Sequence, residues 1–184
     1  ETDVRLICDM SSDIMSQEVD ISKYDLIYAG AQKNLGPAGA TLIIVKCDAL
    51  GKSGRTIPSI LDYQLHVAKE SMYNTPPCFS IFTCMLTMEW LKELGGVKEI
   101  EKRNKAKASL LYTEIDRNSL FEGTAAVEDR SIMNPTFVLK NDALNANFLS
   151  KSIEVGINGI KGHRSVGGFR ASMYNALEIE SVQV

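Results

Sequence analysis

A lysine at the centre of a loop crowded with small residues is the first place in this sequence where chemistry could be done. Lys33 lies among Gly30, Ala31, Gly36, Pro37, Ala38 and Gly39. It follows the apolar run 25–29 and precedes the β-branched run 40–45, which predicts a loop between two buried strands. Small residues there let the backbone approach another object closely. A lone loop lysine is otherwise most often a solvated one. A phosphate-cradling loop would place Ser or Thr after Gly-Lys; Gln32 precedes Lys33 and Asn34 follows it, so that motif is excluded. Asp9 is the second candidate, because it ends the apolar run 4–8, and ligands of open α/β sheets gather at the carboxyl ends of strands. A turn-initiating aspartate that caps the backbone of 10–12 would look the same. Asp13, four residues on in a polar turn, is given no chemistry. The third candidate is the stretch 162–170, where His163, Arg164 and Arg170 stand among Gly162, Gly167 and Gly168. Arginine's planar fork suits carboxylate and phosphate, although two arginines in a turn are also an ordinary solvated hairpin. Asn74 and Thr75 precede Pro76 and Pro77, which reads as Thr75 capping a helix with the prolines in its first turn.

The elements that must position these groups follow from periodicity. Residues 46–58 are turn-rich, and 60–70 are helix or loop without a clear period. A helix over 78–94 is apolar almost all round and is expected to be buried on several sides. Gly95 and Gly96 end it. The next helix, 97–117, carries Val97, Ile100, Asn104, Ala108, Leu111 and Ile115 at a 3.6-residue period. Lys98, Glu99, Lys102, Lys105 and Lys107 fall outside that stripe, as a solvated basic face. Beyond it, strands are expected at 120–122, 133–139, 157–160 and 168–174, with a helix over 142–155. The composite is an α/β chain of two parts, 1–95 and 96–184, the second a small α+β domain.

Composition narrows the class. At 184 residues and 45% hydrophobic the chain can bury a sizeable core, and its net charge of −3 argues against a nucleic-acid surface. No apolar run reaches the roughly 18 residues of a spanning helix, and no signal-peptide pattern opens the chain, so a cytoplasmic location is expected and no membrane role. Cys8, Cys47, Cys78 and Cys84 contain no C-x-x-C spacing, and His66 and His163 complete no zinc set, so no metal is expected. The four read as reduced thiols, several of them buried.

Four stretches in order, 9–13, 29–39, 73–77 and 161–170, resemble the phosphoserine aminotransferases, class-V pyridoxal-phosphate enzymes with the aspartate-aminotransferase fold. The resemblance implies part of the large domain of a fold-type I transferase plus the small C-terminal domain, truncated at both ends, since that family's chain is about twice this long. It implies pyridoxal 5'-phosphate as cofactor, with Lys33 as the residue that binds its aldehyde and then moves the Cα proton. Asp9 is implied to pair with the pyridine nitrogen, and Gln32 to contact the phosphate. Asn74 and Thr75 would bind the phosphate of the cofactor held by the other subunit of a homodimer. Arg170 would take the substrate α-carboxylate, while His163 and Arg164 grip the distal phosphate of phosphoserine or the distal carboxylate of glutamate. The implied reaction interconverts O-phosphoserine and 2-oxoglutarate with 3-phosphohydroxypyruvate and glutamate, in serine biosynthesis. The family's other half supplies the glycine-rich turn on the cofactor phosphate and the ring stacked on the pyridine, so this stretch alone is expected to be inactive. Two alternatives remain open: a related aminotransferase with another amino-acid substrate, and a non-catalytic module that keeps the fold for anion binding or dimerisation.

Overall fold

Three strands build the first sheet of the computed structural model, which describes residues 4–52 and 54–184. β1 (Ile7–Asp9) pairs in parallel with β2 (Leu26–Gly30), which pairs antiparallel with β3 (Thr41–Val45), in the order β1-β2-β3. Period-two alternation in β2 sends Ile27 and Ala29 inward, onto Met10, Ile14, Ala31 and Leu35. The strand expected over 4–8 is shorter and ends on Asp9 itself, and Val4, Leu6 and Ile7 are exposed rather than buried. Among the described residues β1 has one neighbour in its sheet, so one of its edges is unpaired there. None of the four cysteines is buried: Cys8 and Cys84 are half-buried, and Cys47 and Cys78 exposed.

After a 3-10 turn at Ser59–Leu61, the short helix α1 (Tyr63–Ala68) starts at Asp62, whose carboxylate accepts the Gln64 N–H at 3.0 Å. Helix α2 (Cys78–Glu93) begins later than Thr75 predicts. Pro76 and Pro77 precede it, and the Pro77 carbonyl accepts the Ile81 N–H at 3.1 Å, so Thr75 is not its cap. Prolines lack the N–H a cap would satisfy, so they serve as well just outside the helix as in its first turn. Only Ser80 and Leu91 of α2 are buried, against the expectation of burial on several sides. Phe79, Phe82, Met85 and Leu86, one stripe at helical spacing, are exposed.

The chain divides into two units at Glu93 and Leu94. The second opens with α3 (Gly96–Arg117), entered through left-handed Gly95 and Gly96 at φ 114° and 78°. Its sheet is antiparallel in the order β4 (Phe121–Gly123), β5 (Thr136–Leu139), β6 (Phe169–Arg170). Helix α4 (Asn145–Glu154) covers it, and the rings of Phe121, Phe137, Phe148 and Phe169 meet at 4.8–6.3 Å between centroids. A short helix, α5 (Glu180–Gln183), follows.

Two expected strands shrink here. Residues 133–135 fall outside β5 because Ser131 Oγ takes the N–H groups of Met133 and Asn134 into a turn and Pro135 has no N–H to give, while the Pro135 and Met133 carbonyls still accept the N–H groups of Ala171 and Met173 at 3.0 and 2.8 Å. The stretch 157–160 is no strand, since Gly156 and Gly159 hold φ of 85° and 75°; a single bridge, Lys161 to Phe169, joins that side to β6. Likewise β6 stops at Arg170, short of 174. On α3 the apolar stripe is as predicted except at Lys107, which is 2% exposed instead of solvated. Its ammonium donates to the carbonyls of Met173, Tyr174 and Leu177 at 3.3, 3.0 and 2.9 Å. No helix among the described residues is long and apolar enough to cross a membrane.

Candidate active site

Because β1 and β2 run parallel, their carboxyl ends open on the same edge of the sheet, and Asp9 and the Lys33 loop emerge side by side. Side-chain hydrogen bonds tie the turn after β1 to the loop after β2. Ser11 Oγ accepts the Gly30 N–H at 3.0 Å, Lys33 Nζ donates to Ser12 Oγ at 2.6 Å, and Asn34 Nδ2 donates to the Ile14 carbonyl at 3.0 Å. Asp9 Oδ1 accepts both the hydroxyl and the backbone N–H of Ser11, at 2.6 and 2.9 Å. Those two Ser11 bonds, with the Tyr28 hydroxyl and the Lys33 charge, hold the Asp9 carboxyl below the usual range, so it stays an anion. Asp13 goes the other way: burial pushes its carboxyl up, and the Asp9 charge adds to that. Ser11 and Ser12 were not singled out by sequence reading. The only signal for them was their place between two candidate groups in the 9–13 turn.

The lysine loop is closed by the Gly36 N–H to the Ala31 carbonyl at 2.7 Å and the Ala31 N–H to Ala40 at 3.0 Å. Its small residues are needed because α2 packs on it. Ser80 Oγ donates to the Ala38 carbonyl at 2.9 Å, and a Cβ on Gly39 would come within 2.6 Å of that same oxygen. Gln32 is exposed and its amide lies over Gly30, where a Cβ would meet Oε1 at 2.4 Å. Asn74 and Thr75 are exposed on the approach to α2, with Asn74 Nδ2 turned to the Thr75 carbonyl at 3.1 Å. Glu70 and Ser71, at φ 50° and 67°, form the turn that delivers them. His66 braces it, with Nε2 at 2.8 Å from the Ile60 carbonyl and its ring 5.4 Å from that of Tyr73.

In the second unit His163, Arg164 and Arg170 belong to one hairpin. The Gly162 N–H donates to the Gly168 carbonyl at 2.9 Å, and the Val166 and Gly167 N–H groups close on the His163 carbonyl at 2.9 and 2.8 Å. Glycine is required at 162, where a Cβ would sit 2.2 Å from the Gly167 carbonyl oxygen. His163 and Arg164 occupy the exposed tip. The Ser165 hydroxyl lies 2.7 Å from His163 Nδ1 and the Ser165 N–H reaches the same nitrogen at 3.3 Å, so the ring is held from its Nδ1 side. Arg170 stands at the base, paired with Thr136, and lines a cleft of about 1230 Å³ between α3, residues 155–160 and α5. Its Nε is buried and has no hydrogen-bond partner among the described residues. A guanidinium edge in that condition fits an anionic ligand group.

A family model for class-V aminotransferases matches residues 1–184. The phosphoserine aminotransferase of Flavobacterium psychrophilum is 62% identical over 184 residues, covering all of this chain and 52% of that protein. Among solved structures, the phosphoserine aminotransferase from Bacillus circulans subsp. alkalophilus superposes with a TM-score of 0.92 at 45% identity, over 99% of this chain and 51% of that one. A pyridoxal-phosphate-bound phosphoserine aminotransferase from Trichomonas vaginalis gives 0.92 at 37% identity, over 100% and 53%. The chain spans about half the length of the curated relatives it matches.

Proposed function

The chain belongs to the class-V aminotransferase family, and from that premise we propose that it is the lysine-bearing half of a phosphoserine aminotransferase that uses pyridoxal 5'-phosphate. The observation that carries the reading is the placement of an ionised Asp9 beside the Lys33 amine, at the carboxyl ends of two parallel strands. When bound, the cofactor supplies an aldehyde for the amino group and a ring that accepts the electrons released when a bond to Cα breaks. Residues 1–95 then belong to the cofactor-binding large domain and 96–184 to the small domain.

The protein's own groups divide the work. Lys33 anchors the cofactor through its amine and, once displaced by the substrate amine, carries the proton to and from Cα. Asp9, held as an anion by Ser11, keeps a proton on the pyridine nitrogen. Gln32 beside the lysine, with Asn74 and Thr75 ahead of α2, supplies polar contacts for phosphate. Arg170 takes the α-carboxylate, in keeping with its unpartnered Nε. His163, held through Nδ1 by Ser165, and Arg164 beside it grip the distal phosphate of phosphoserine or the distal carboxylate of glutamate.

The working form is a homodimer in the cytoplasm, Asn74 and Thr75 reaching the partner's cofactor phosphate. The exposed stripe of Phe79, Phe82, Met85 and Leu86, which directly follows those two residues, supports a covered face there. The test is turnover by the complete enzyme, with glutamate followed after phosphoserine and 2-oxoglutarate are mixed. Turnover that disappears in Lys33→Ala is expected; turnover that survives it, or no preference for phosphoserine over alanine, would reject the proposal.

A further inference from the structure

The hydroxyl of Ser12 meets the Lys33 amine at 2.6 Å from a turn that is itself fixed to the lysine loop on either side, by Ser11 to Gly30 and by Asn34 to Ile14. We propose that Ser12 is the positioning residue of the Lys33 amine: its hydroxyl holds Nζ at the sheet edge beside Asp9 whenever that amine is not covalently engaged. This rests on the transaminase reading of Lys33 and deepens it.

The argument is one of choice between partners. Asp9 and Asp13 both feel the Lys33 charge, and a flexible four-carbon stem can reach toward either. An ammonium drawn onto Asp9 would occupy the carboxylate that the pyridine nitrogen needs, and it would give up readiness to release a proton. A serine hydroxyl avoids both outcomes. It accepts from the ammonium and, after rotation, donates to the lone pair of the neutral amine, whereas an ionised carboxylate can only accept and favours the ammonium. Tyr28, opposite Asp9 in the β1–β2 register, hydrogen-bonds the carboxylate and so gives it a partner other than the amine.

The experiment uses the complete enzyme with Ser12→Ala and Ser12→Thr, read in two arms. Without cofactor, reductive methylation of Lys33 is followed by peptide mass spectrometry. Loss of the hydroxyl removes one restraint on the nitrogen and speeds its labelling about 2- to 10-fold, the worth of one such hydrogen bond, whereas threonine stays near the parent rate. With cofactor, Ser12→Ala lowers kcat, leaves KM for glutamate near the parent value and raises the isotope effect from α-deuterated glutamate; threonine restores all three. Unchanged labelling in a folded Ser12→Ala, or threonine as defective as alanine, overturns the proposal. The two readings fail separately: cofactor attachment at another lysine would sink the transaminase assignment of Lys33 and leave the labelling result standing.

Discussion

Replacing Lys107 by methionine should change the pH dependence of stability with a sign that the structure dictates. Lys107 is 2% exposed, and burial pushes its ammonium down to about 8, with the Glu178 charge pulling weakly the other way. In the unfolded chain a lysine titrates near 10.4. Between those two values the unfolded state binds a proton that the folded state has released, so stability contributed by this group rises with pH. Integrated from pH 7 to pH 10, the gain is about 2 kcal/mol. The other consequences of the substitution, three backbone carbonyls losing their donor and a changed fit against α3, are present at every pH and set only the offset. Urea unfolding followed by circular dichroism at pH 7, 8, 9 and 10, on parent and Lys107→Met, isolates the titration as a difference between the two curves. The parent should gain on the variant progressively above pH 8. A difference that is flat or falls with pH would mean that Lys107 is not a buried cation, and the account of how α3 holds residues 173–177 would fall with it.

Asp9→Ala in the complete enzyme should keep the cofactor on Lys33 but lose turnover by about 100-fold or more, the scale of removing a positioned proton partner; near-normal turnover would remove the pyridinium role. Arg164→Leu should impair phosphoserine and glutamate while sparing alanine, whereas Arg170→Leu should impair all three, and equal losses in both variants would remove the basis for the specificity claim. Phe137→Ala should destabilise the second unit by about 3–5 kcal/mol, because that ring is 4% exposed and meets those of Phe121, Phe148 and Phe169 beneath β6; a loss below about 1 kcal/mol in chemical unfolding would show that the cluster does not hold Arg170's strand.

What the sequence made legible is local and patterned. The loop around Lys33 showed itself by small residues between two apolar runs, and α2 and α3 by length and period. Three features escaped for physical reasons. The burial of Lys107 was hidden because charge is ordinarily assigned to solvent, yet its position three residues after Asn104 and seven after Ile100 lies on the buried stripe. The missing strand at 157–160 turns on Gly156 and Gly159 adopting left-handed φ, which Ile157 and Ile160 do not reveal. The exposure of β1 and of the Phe79–Leu86 stripe depends on what covers them, and that is a property of contacts rather than of the residues. At the candidate site, residue type and local setting singled out Asp9, Lys33 and Arg170. The bonds that join the Asp9 turn to the Lys33 loop, from Ser11, Ser12 and Asn34, link positions about twenty apart and appear only once β1 and β2 are paired.

The central claim is that Lys33 is the residue to which the cofactor is joined, and locating that bond tests it directly. Borohydride reduction of the complete enzyme in the presence of pyridoxal phosphate, followed by digestion and peptide mass spectrometry, should place a phosphopyridoxyl group on Lys33. The same group on Lys46 or Lys161, with Lys33 unmodified, would contradict it.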